Sequence, residues 1–336
     1  MIGYYVHHQG HGHRHRALAV ARALRQPVMG LSSAPAPRGW PGEWLLLPRD
    51  DEGGLPQDPT AHGRLHWVPV GDRGLAWRTS AISQWLATAA PDAMVVDVSV
   101  EVTLLARLHG VRVVSVVPPG RRDDAAHRLA FDVCDALVGL WPQSATATAM
   151  MPGVPDEVRR RVVPLGAVSR HPVATPRPRR AGPPRVTFLS GSGGSAVPEL
   201  AVAAARRQTP GWEWTVLGGP GTSGWSDDPR PAIEDADVVV THAGQNALAE
   251  VAAARRPAVV VPQDRPFDEQ RTTASVLSAG WPAVVRPELP TTGWAELLTT
   301  AAGLDGRGWE RWCDGHAAER FAGVVQDVAD GWRVAS

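Results

Sequence analysis

The stretch Asp237-Val-Val-Val-Thr-His-Ala-Gly-Gln-Asn-Ala-Leu-Ala-Glu250 decides the fold of this chain of 336 residues. A short apolar run leads to a glycine and an amphipathic segment follows, so the pattern predicts a buried strand, a tight turn and a helix. Arg256-Pro-Ala-Val-Val-Val-Pro262 predicts a second buried strand, and Phe267-Asp-Glu-Gln270 predicts a polar loop after it. Strands and helices in this alternation are typical of a parallel sheet, which binds ligands at the carboxyl ends of its strands.

The turn at Gly244 is predicted to bind an anion. Backbone N–H groups at the start of a helix, together with the helix dipole, favour negative charge. Glu250, Glu269 and Gln270 follow the turn and offer groups that bind hydroxyls. A phosphate at the turn and hydroxyls farther along indicate a nucleotide sugar as the ligand. An ordinary strand-to-helix turn without a ligand is the alternative interpretation.

The same order of strand, glycine turn and helix opens each half of the chain. Ile2 to His7 predicts a strand, Gly10-His-Gly-His13 a turn, and Arg14 to Leu24 a helix. Arg185-Val-Thr-Phe-Leu-Ser-Gly-Ser-Gly-Gly-Ser195 begins a second such unit. Residues 170–184 lie between the two and are rich in Pro and Arg, a composition typical of an extended linker. The sequence therefore predicts an α/β fold with two doubly wound, Rossmann-like domains, at residues 1–169 and 185–308, and a C-terminal helix within residues 309–336.

Composition excludes several functional classes. Arg with Lys and Asp with Glu each number 34, so the formal charge is zero and no basic surface for nucleic acid is indicated. The chain has no Lys, which excludes a Schiff base and a P-loop lysine. Cys134 and Cys313 have no metal-ligand spacing and suit a reducing compartment. The N-terminus lacks signal-peptide features and apolar runs fall short of the ~20 residues of a membrane helix. We expect a cytoplasmic protein, peripheral to the inner membrane face at most.

The sequence resembles the GT-B glycosyltransferases, in particular the MurG-like branch with a glycosyltransferase family 28 C-terminal domain. Three segments carry the resemblance: Gly10-His-Gly-His-Arg-His-Arg16 with the helix after it, Gly191-Ser-Gly-Gly-Ser195, and residues 237–281. The resemblance implies an acceptor domain followed by a donor domain, facing each other across a cleft. It also implies that the C-terminal helix packs back on the first domain.

The implied reaction moves a sugar, with inversion and without a metal, from a nucleotide diphosphate to a hydroxyl. A UDP-sugar is the expected co-substrate, and no further cofactor is expected. The acceptor is expected to be lipid-linked, part of the cell wall or a small molecule. A lipid-linked acceptor would bring the protein into peripheral contact with a membrane.

The resemblance also assigns the donor site. Glu250 is expected to accept hydrogen bonds from both ribose hydroxyls, although an exposed helix charge is the alternative. Glu269 and Gln270 are expected to bind the hydroxyls of the sugar, with Asp268 as the other candidate carboxylate. The donor-binding residues are then Gly193, Gly194, Ser195, His242, Ala243, Gly244, Gln245, Asn246, Glu250, Glu269 and Gln270.

His13 is the predicted general base, because the acceptor hydroxyl must lose a proton as it attacks and imidazole titrates near neutral pH. Asp97 ends a predicted strand and is expected to orient His13 or to be the base itself; a helix N-cap is the alternative. Gly12, Arg16 and Glu101 are expected on the acceptor side.

Other groups near the first turn leave alternatives open. His7, His8, His11 and His15 surround His13, and the last two have the spacing of metal ligands on a helix. No zincin glutamate follows His11, so no metal is expected.

The segment Arg121-Arg-Asp-Asp-Ala-Ala-His127 is expected to be a solvated loop, with a place on the acceptor side as the alternative.

Three other functions compete with sugar transfer as interpretations of the sequence. The segment Gly191-Ser-Gly-Gly-Ser-Ala196 satisfies a loose dinucleotide fingerprint. The next predicted strand, however, ends in glycine instead of the acid that a dehydrogenase needs. A nucleotide-sugar 2-epimerase on the same fold and a non-catalytic nucleotide-sugar binder both stay open.

Overall fold

A computed structural model describes residues 1–52, 54–175, 181–190, 199–218, 226 and 228–331, apart from the side chain of His11. Two sheets form the core, and all their strand pairs are parallel. The first has the order β3-β2-β1-β4-β5-β6-β7 and the second β12-β11-β10-β8-β9. The strands are β1 Ile2–Val6, β2 Val28–Ser32, β3 Glu43–Leu46, β4 Ala93–Asp97, β5 Arg112–Val117, β6 Ala136–Gly139, β7 Val162–Pro164, β8 Arg185–Leu189, β9 Glu213–Leu217, β10 Val238–Thr241, β11 Ala258–Val260 and β12 Ala283–Val285.

Helices connect the strands and cover the sheets. In the described part of the chain they are α1 His11–Ala23, α2 Arg73–Ala89, α3 Val100–Leu108, α4 Ala125–Val133, α5 Ala147–Met150, α6 Asp156–Arg159, α7 Glu199–Gln208, α8 Arg230–Asp235, α9 Gln245–Ala253, α10 Glu269–Leu277, α11 Trp294–Ala302 and α12 Ala317–Ala329. Short 3₁₀ turns occupy Pro266–Asp268 and Gly306–Arg311. No helix among the described residues has the length and apolarity that crossing a bilayer requires.

The first sheet is buried on both faces, as the predicted doubly wound fold requires. Successive side chains of a strand point to opposite faces. Tyr4 of β1 therefore packs with Phe321 of α12, while its neighbour Tyr5 packs on the other side with Leu86 of α2. Valine-rich strands such as β4 and β5 suit this position, since β-branched side chains fill a sheet covered on both sides.

The C-terminal helix α12 lies on the first sheet. Its Phe321, Val325 and Val328 are buried in the same apolar cluster as Ile2 and Val6 of β1. The strands of the first sheet lie between residues 2 and 164, and those of the second between 185 and 285. The exact domain boundaries stay a prediction, and residues 176–180 of the proposed linker lie outside the described residues.

Candidate active site

Two connected cavities lie where the carboxyl ends of the strands meet. The cleft, about 550 Å³, lies between the two sheets and is bordered by the turns after β1, β8, β10 and β11. The inner cavity, about 830 Å³, lies mostly within the first half of the chain. The residues that line both cavities are His7, Gln9, Val98, Pro118, Arg122 and Phe267. Phe267 is the one member of this set that the second half of the chain supplies.

The start of α9 borders the cleft and has the features of an anion site. Gly244 is its N-cap, and no side chain among the described residues caps the helix. The first-turn amides, at Gln245, Asn246 and Ala247, belong to residues that line the cleft. Uncapped amides and the helix dipole attract an anion. Gly244 itself has no room for a side chain, because a Cβ would lie 2.4 Å from the ring of His242.

Two amides of the turn are already occupied by side chains. Ala243 N–H donates to Gln270 Oε1 over 3.1 Å, and Gly244 N–H donates to His242 Nδ1 over 3.0 Å. Burial, helped by the charge of Arg265, lowers the pKa of His242 to about 4, which keeps Nδ1 an acceptor at neutral pH. The amides that remain for a predicted anion are therefore those one to three residues after Gly244.

Gln270 connects two loops that border the cleft on the side of the second sheet. Its side chain is buried, and Oε1 also accepts the N–H of Gln263 over 2.9 Å. This oxygen thereby ties the turn after β10 to the loop after β11. The adjacent Glu269 is only partly buried and lines the cleft, whereas Asp268 does not. Of the two candidate carboxylates, Glu269 is the one placed at the cleft.

Glu250 lies in the cleft and is buried against an arginine that the sequence assigned to the linker. Arg170 Nε donates to Glu250 Oε1 over 2.7 Å, and Arg170 Nη1 lies 3.3 Å from His15 Nε2. Burial raises the pKa of Glu250, and Arg170 opposes that shift. The alternative of an exposed helix charge is wrong. Nothing in the local sequence distinguishes Arg170 from its neighbours, because its partners lie 80 and 155 residues away.

His13 and Asp97 meet at the cleft, as predicted. The register that pairs Val6 with Asp97 brings the end of β4 beside the turn after β1. His13 Nδ1 lies 3.2 Å from Asp97 Oδ1 and 2.8 Å from Arg16 Nη2. The ring nitrogen therefore donates to the carboxylate in one tautomer and accepts from the guanidinium in the other.

Asp97 is ionised although it is wholly buried. Arg16 holds both of its oxygens, with Nε 2.9 Å from Oδ2 and Nη2 2.6 Å from Oδ1. Burial alone would raise the pKa of Asp97, but the charges of Arg16 and His13 hold it well below its usual range. The N-cap alternative for Asp97 is wrong, since Ser99 Oγ caps α3 by accepting from Val102 N–H.

Arg16 and Gly12 connect the two sides of the cleft. Arg16 Nη1 donates to Gln245 Oε1 over 3.2 Å, which joins α1 to α9. A Cβ on Gly12 would lie 1.9 Å from Asn246 Nδ2, so a side chain there would have to displace the Asn246 amide. Both residues line the cleft rather than the inner cavity.

Glu101, also expected on the acceptor side, lines the inner cavity and fixes its wall. Its Oε1 accepts the backbone N–H groups of His66 and Trp67 at 2.8 and 3.1 Å, and Oε2 accepts from Ser99 Oγ at 3.1 Å. Gly193, Gly194 and Ser195 of the predicted glycine loop lie outside the described residues.

The segment from Arg121 to His127 is only partly the solvated loop that the sequence predicts, since Arg121 and Asp123 are exposed but other members are buried. Arg122 is 4% and His127 5% exposed, and both line the inner cavity. Asp124 caps α4 by accepting from the N–H groups of Ala126 and His127. Burial is sufficient to lower the pKa of His127 to about 4 although Asp124 favours its charged form.

Two groups of side chains in the described residues have the geometry of metal ligands. They are His66, Asp124 and His127, and His8, Asp50 and Asp51, with ligand atoms within 4.8 Å of one another in each group. In the first group Arg122 Nη1 lies 3.2 Å from His127 Nε2, so a cation there would meet a guanidinium. Both groups border the inner cavity, and neither lies at the start of α9.

Comparisons with known proteins agree with this architecture. Residues 222–282 match the glycosyltransferase family 28 C-terminal domain. No curated protein sequence matches the chain significantly. Among solved structures, the glycosyltransferase of kitacinnamycin is similar with a TM-score of 0.64 at 17% identity, over 98% of this chain and 97% of that one. MurG of Acinetobacter baumannii is similar with a TM-score of 0.62 at 16% identity, over 97% and 99% of the two chains.

A third similar structure is the spinosyn rhamnosyltransferase SpnG complexed with thymidine diphosphate, with a TM-score of 0.61 at 18% identity over 98% of both chains. Matches of this identity define the fold and leave the substrates open. The chain therefore has the fold of the GT-B glycosyltransferases, and the family 28 match in its second half supports glycosyltransferase activity.

Proposed function

We propose that the protein transfers a sugar from a nucleoside diphosphate, with UDP as the first candidate, to a hydroxyl, with inversion and without a metal. One observation carries the proposal: His13, which lies 3.2 Å from the buried Asp97, lines the same cleft as the uncapped start of α9. A base and a site for an anionic leaving group are the two requirements of such a displacement.

In the proposed reaction, His13 Nε2 takes the proton of the acceptor hydroxyl as its oxygen attacks the anomeric carbon. The bond from that carbon to the diphosphate oxygen breaks, and its electron pair leaves with the diphosphate. Asp97 stabilises the imidazolium that forms, as the carboxylate of a catalytic triad does. Amides at the start of α9 stabilise the charge that develops on the diphosphate. Attack opposite the leaving group inverts the anomeric carbon.

The donor residues take separate parts in this scheme. Glu250 accepts hydrogen bonds from the ribose hydroxyls, exchanging its contact with Arg170 for them. Glu269 accepts from the sugar hydroxyls. Gln270 acts indirectly, because its Oε1 already holds the amides of Ala243 and Gln263.

The inner cavity supports a small and largely apolar acceptor. Its volume, about 830 Å³, lies within the usual range of small-molecule sites. Most of its wall is apolar, with Tyr5, Leu65, Trp67, Val68, Leu75, Ile82, Leu104, Leu105, Leu108, Phe131 and Phe267 among the lining residues. The cavity joins the cleft at His7, so a hydroxyl of a molecule held there would reach toward His13.

The charges around the inner cavity disfavour a pyrophosphate-linked acceptor. Arg78 lies 3.5 Å from Asp50 and donates to the hydroxyl of Tyr5, and Arg122 donates to Glu269. The described lining residues thus offer no unpaired guanidinium for a lipid pyrophosphate. A neutral hydroxyl compound needs none.

The experiment that tests the proposal begins with thermal stabilisation by UDP, dTDP and a panel of their hexose derivatives. Ligand at 100 times its Kd stabilises by ~2.7 kcal/mol. The best donor is then incubated with hydroxyl compounds, with and without EDTA, and the anomeric configuration of the product is determined. Retention, or loss of turnover with EDTA, would contradict the mechanism. Epimerised donor formed without an acceptor would assign an epimerase, and binding without any turnover a binder.

A further inference from the structure

The loop before α10 crosses the cleft and docks on the first half of the chain. Arg121 N–H donates to the carbonyl oxygen of Phe267 over 2.7 Å. A Cβ on Gly120 would lie 2.2 Å from that same oxygen, so the two backbones approach as closely as glycine allows. The ring of Phe267 packs against His66 and His127, with ring centroids 5.5 and 4.8 Å apart.

This loop is held in an unusual conformation just before Glu269. Phe267 has φ 61° and Asp268 has φ 54°, which is the left-handed region for two successive residues that are not glycine. Such residues cost of order 1–3 kcal/mol each and persist only where the surroundings determine them. Here the determining contacts come from the loop after β5, in the other half of the chain.

Arg122 contacts the carboxylate of Glu269 from the first half of the chain. Its guanidinium stacks on Phe267, with Cζ 4.6 Å from the ring centroid, and it donates to the carbonyl of Pro119 from Nε and Nη2 over 3.3 Å. Nη1 lies 3.2 Å from His127 Nε2. The guanidinium is thus fixed on three sides, and its remaining contact is Glu269 Oε2 at 3.3 Å.

We propose that Arg122 is a positioning residue for Glu269, so that recognition of the sugar by the second half of the chain depends on a residue of the first half. The inference rests on the proposed function, in which Glu269 binds the sugar of the donor. A fixed guanidinium directs one oxygen of Glu269, which leaves the other for sugar hydroxyls. Binding of the bare nucleotide does not involve this carboxylate.

The test measures the Kd of UDP and UDP-glucose, and of dTDP and dTDP-glucose, for the wild type and for Arg122→Gln, Glu269→Gln and the double variant. Arg122→Gln and Glu269→Gln should each weaken the sugar nucleotide about 10-fold, the loss of roughly one charge-assisted hydrogen bond, with the bare nucleotide unchanged within about 2-fold. The double variant should be no weaker than Glu269→Gln, because Arg122 acts through Glu269. Arg122→Lys should restore part of the loss.

Arg121→Gln is the matched control, since Arg121 contributes its backbone N–H and its side chain is exposed. Phe267→Leu is a second test that keeps Arg122, and it should show the same selective loss because the stacking surface shrinks. Equal weakening of nucleotide and sugar nucleotide, additive losses in the double variant, or no change in Arg122→Gln would each overturn the inference. Absence of nucleotide binding in the wild type would instead overturn the proposed function itself.

Discussion

At the scale of single residues, His13 can be replaced without breaking the ion pair between Arg16 and Asp97. Replacing it by Ala leaves the pairing of Arg16 with Asp97 in place, so the buried charges stay compensated. We expect His13→Ala to lower kcat by about 10²–10⁴, the usual contribution of a positioned general base, while the Kd of the nucleotide stays constant. Steady-state kinetics and calorimetry check this.

His62→Ala is the control, since that imidazole is 91% exposed. A collapse of nucleotide affinity would make His13 a phosphate ligand instead.

Gly12 tests how closely the two halves of the chain must approach. An added methyl group would overlap Asn246 Nδ2, so Gly12→Ala should hold the cleft open near the start of α9. Misplacement of a reacting group by 1 Å can cost about 10²-fold in rate, and we expect kcat to fall by about that factor. Gly211→Ala is the control, because a Cβ there would meet no atom of the described residues within 4 Å. Unchanged turnover in Gly12→Ala would contradict the close approach.

At the scale of elements, helix α9 combines the proposed anion site at its start with Glu250 in its second turn. Glu250→Gln should weaken UDP about 10- to 100-fold, because hydrogen bonds to a charged group contribute roughly 1.5–3 kcal/mol. A 2′,3′-dideoxy analogue of UDP should bind the wild type and the variant equally. Glu296→Gln, on the exposed side of α11, is the matched control. If the variant prefers UDP over the dideoxy analogue by the same factor as the wild type does, Glu250 does not bind the ribose.

The strands were predictable because their signal is local. Ala93–Asp97 stands out as an apolar run with an acid at its end, and it is the observed β4. Asp97 could be placed beside His13 from this alone, since carboxyl ends of parallel strands share one edge of the sheet.

The partners of the buried charges were not predictable, because they depend on contacts between distant segments. Arg170 has the sequence context of a linker, and only the folded chain brings it to Glu250. Arg122 likewise lies in a run of charges typical of a solvated loop, yet 147 residues separate it from Glu269. Glu101 follows a strand end as expected, but its Oε1 accepts the backbone N–H groups of His66 and Trp67, which no sequence pattern predicts.

At the scale of the whole molecule, three histidines with lowered pKa values, the buried His127 and the half-buried His7 and His242, should make the fold acid-sensitive. Burial is the largest cause that lowers the pKa of His7 to about 3 and of His127 and His242 to about 4, from an ordinary value of 6.5. At a pH between the lowered pKa and 6.5, these histidines bind more protons in the unfolded chain than in the native one, so the free energy of unfolding rises with pH. The contribution is therefore complete above pH 6.5 and is lost as pH falls toward 4.

Between pH 6.5 and 4, His171, whose pKa is also lowered by burial, acts in the same direction as these histidines, whereas Glu250, whose pKa burial raises from 4.5, acts in the opposite direction. Asp97 and Asp124, whose pKa values lie below the usual range, contribute stability that is lost only below the ordinary value of 3.8. Each histidine should remove about 1–2 kcal/mol of unfolding free energy between pH 7 and pH 5. Urea unfolding at a series of pH values measures the slope. His7→Gln should reduce the change in unfolding free energy between pH 7 and pH 5 by the contribution of one histidine, about 1–2 kcal/mol, whereas the exposed His62→Gln should leave it unchanged. An unchanged slope in His7→Gln would show that the His7 imidazole is charged or accessible in the native state.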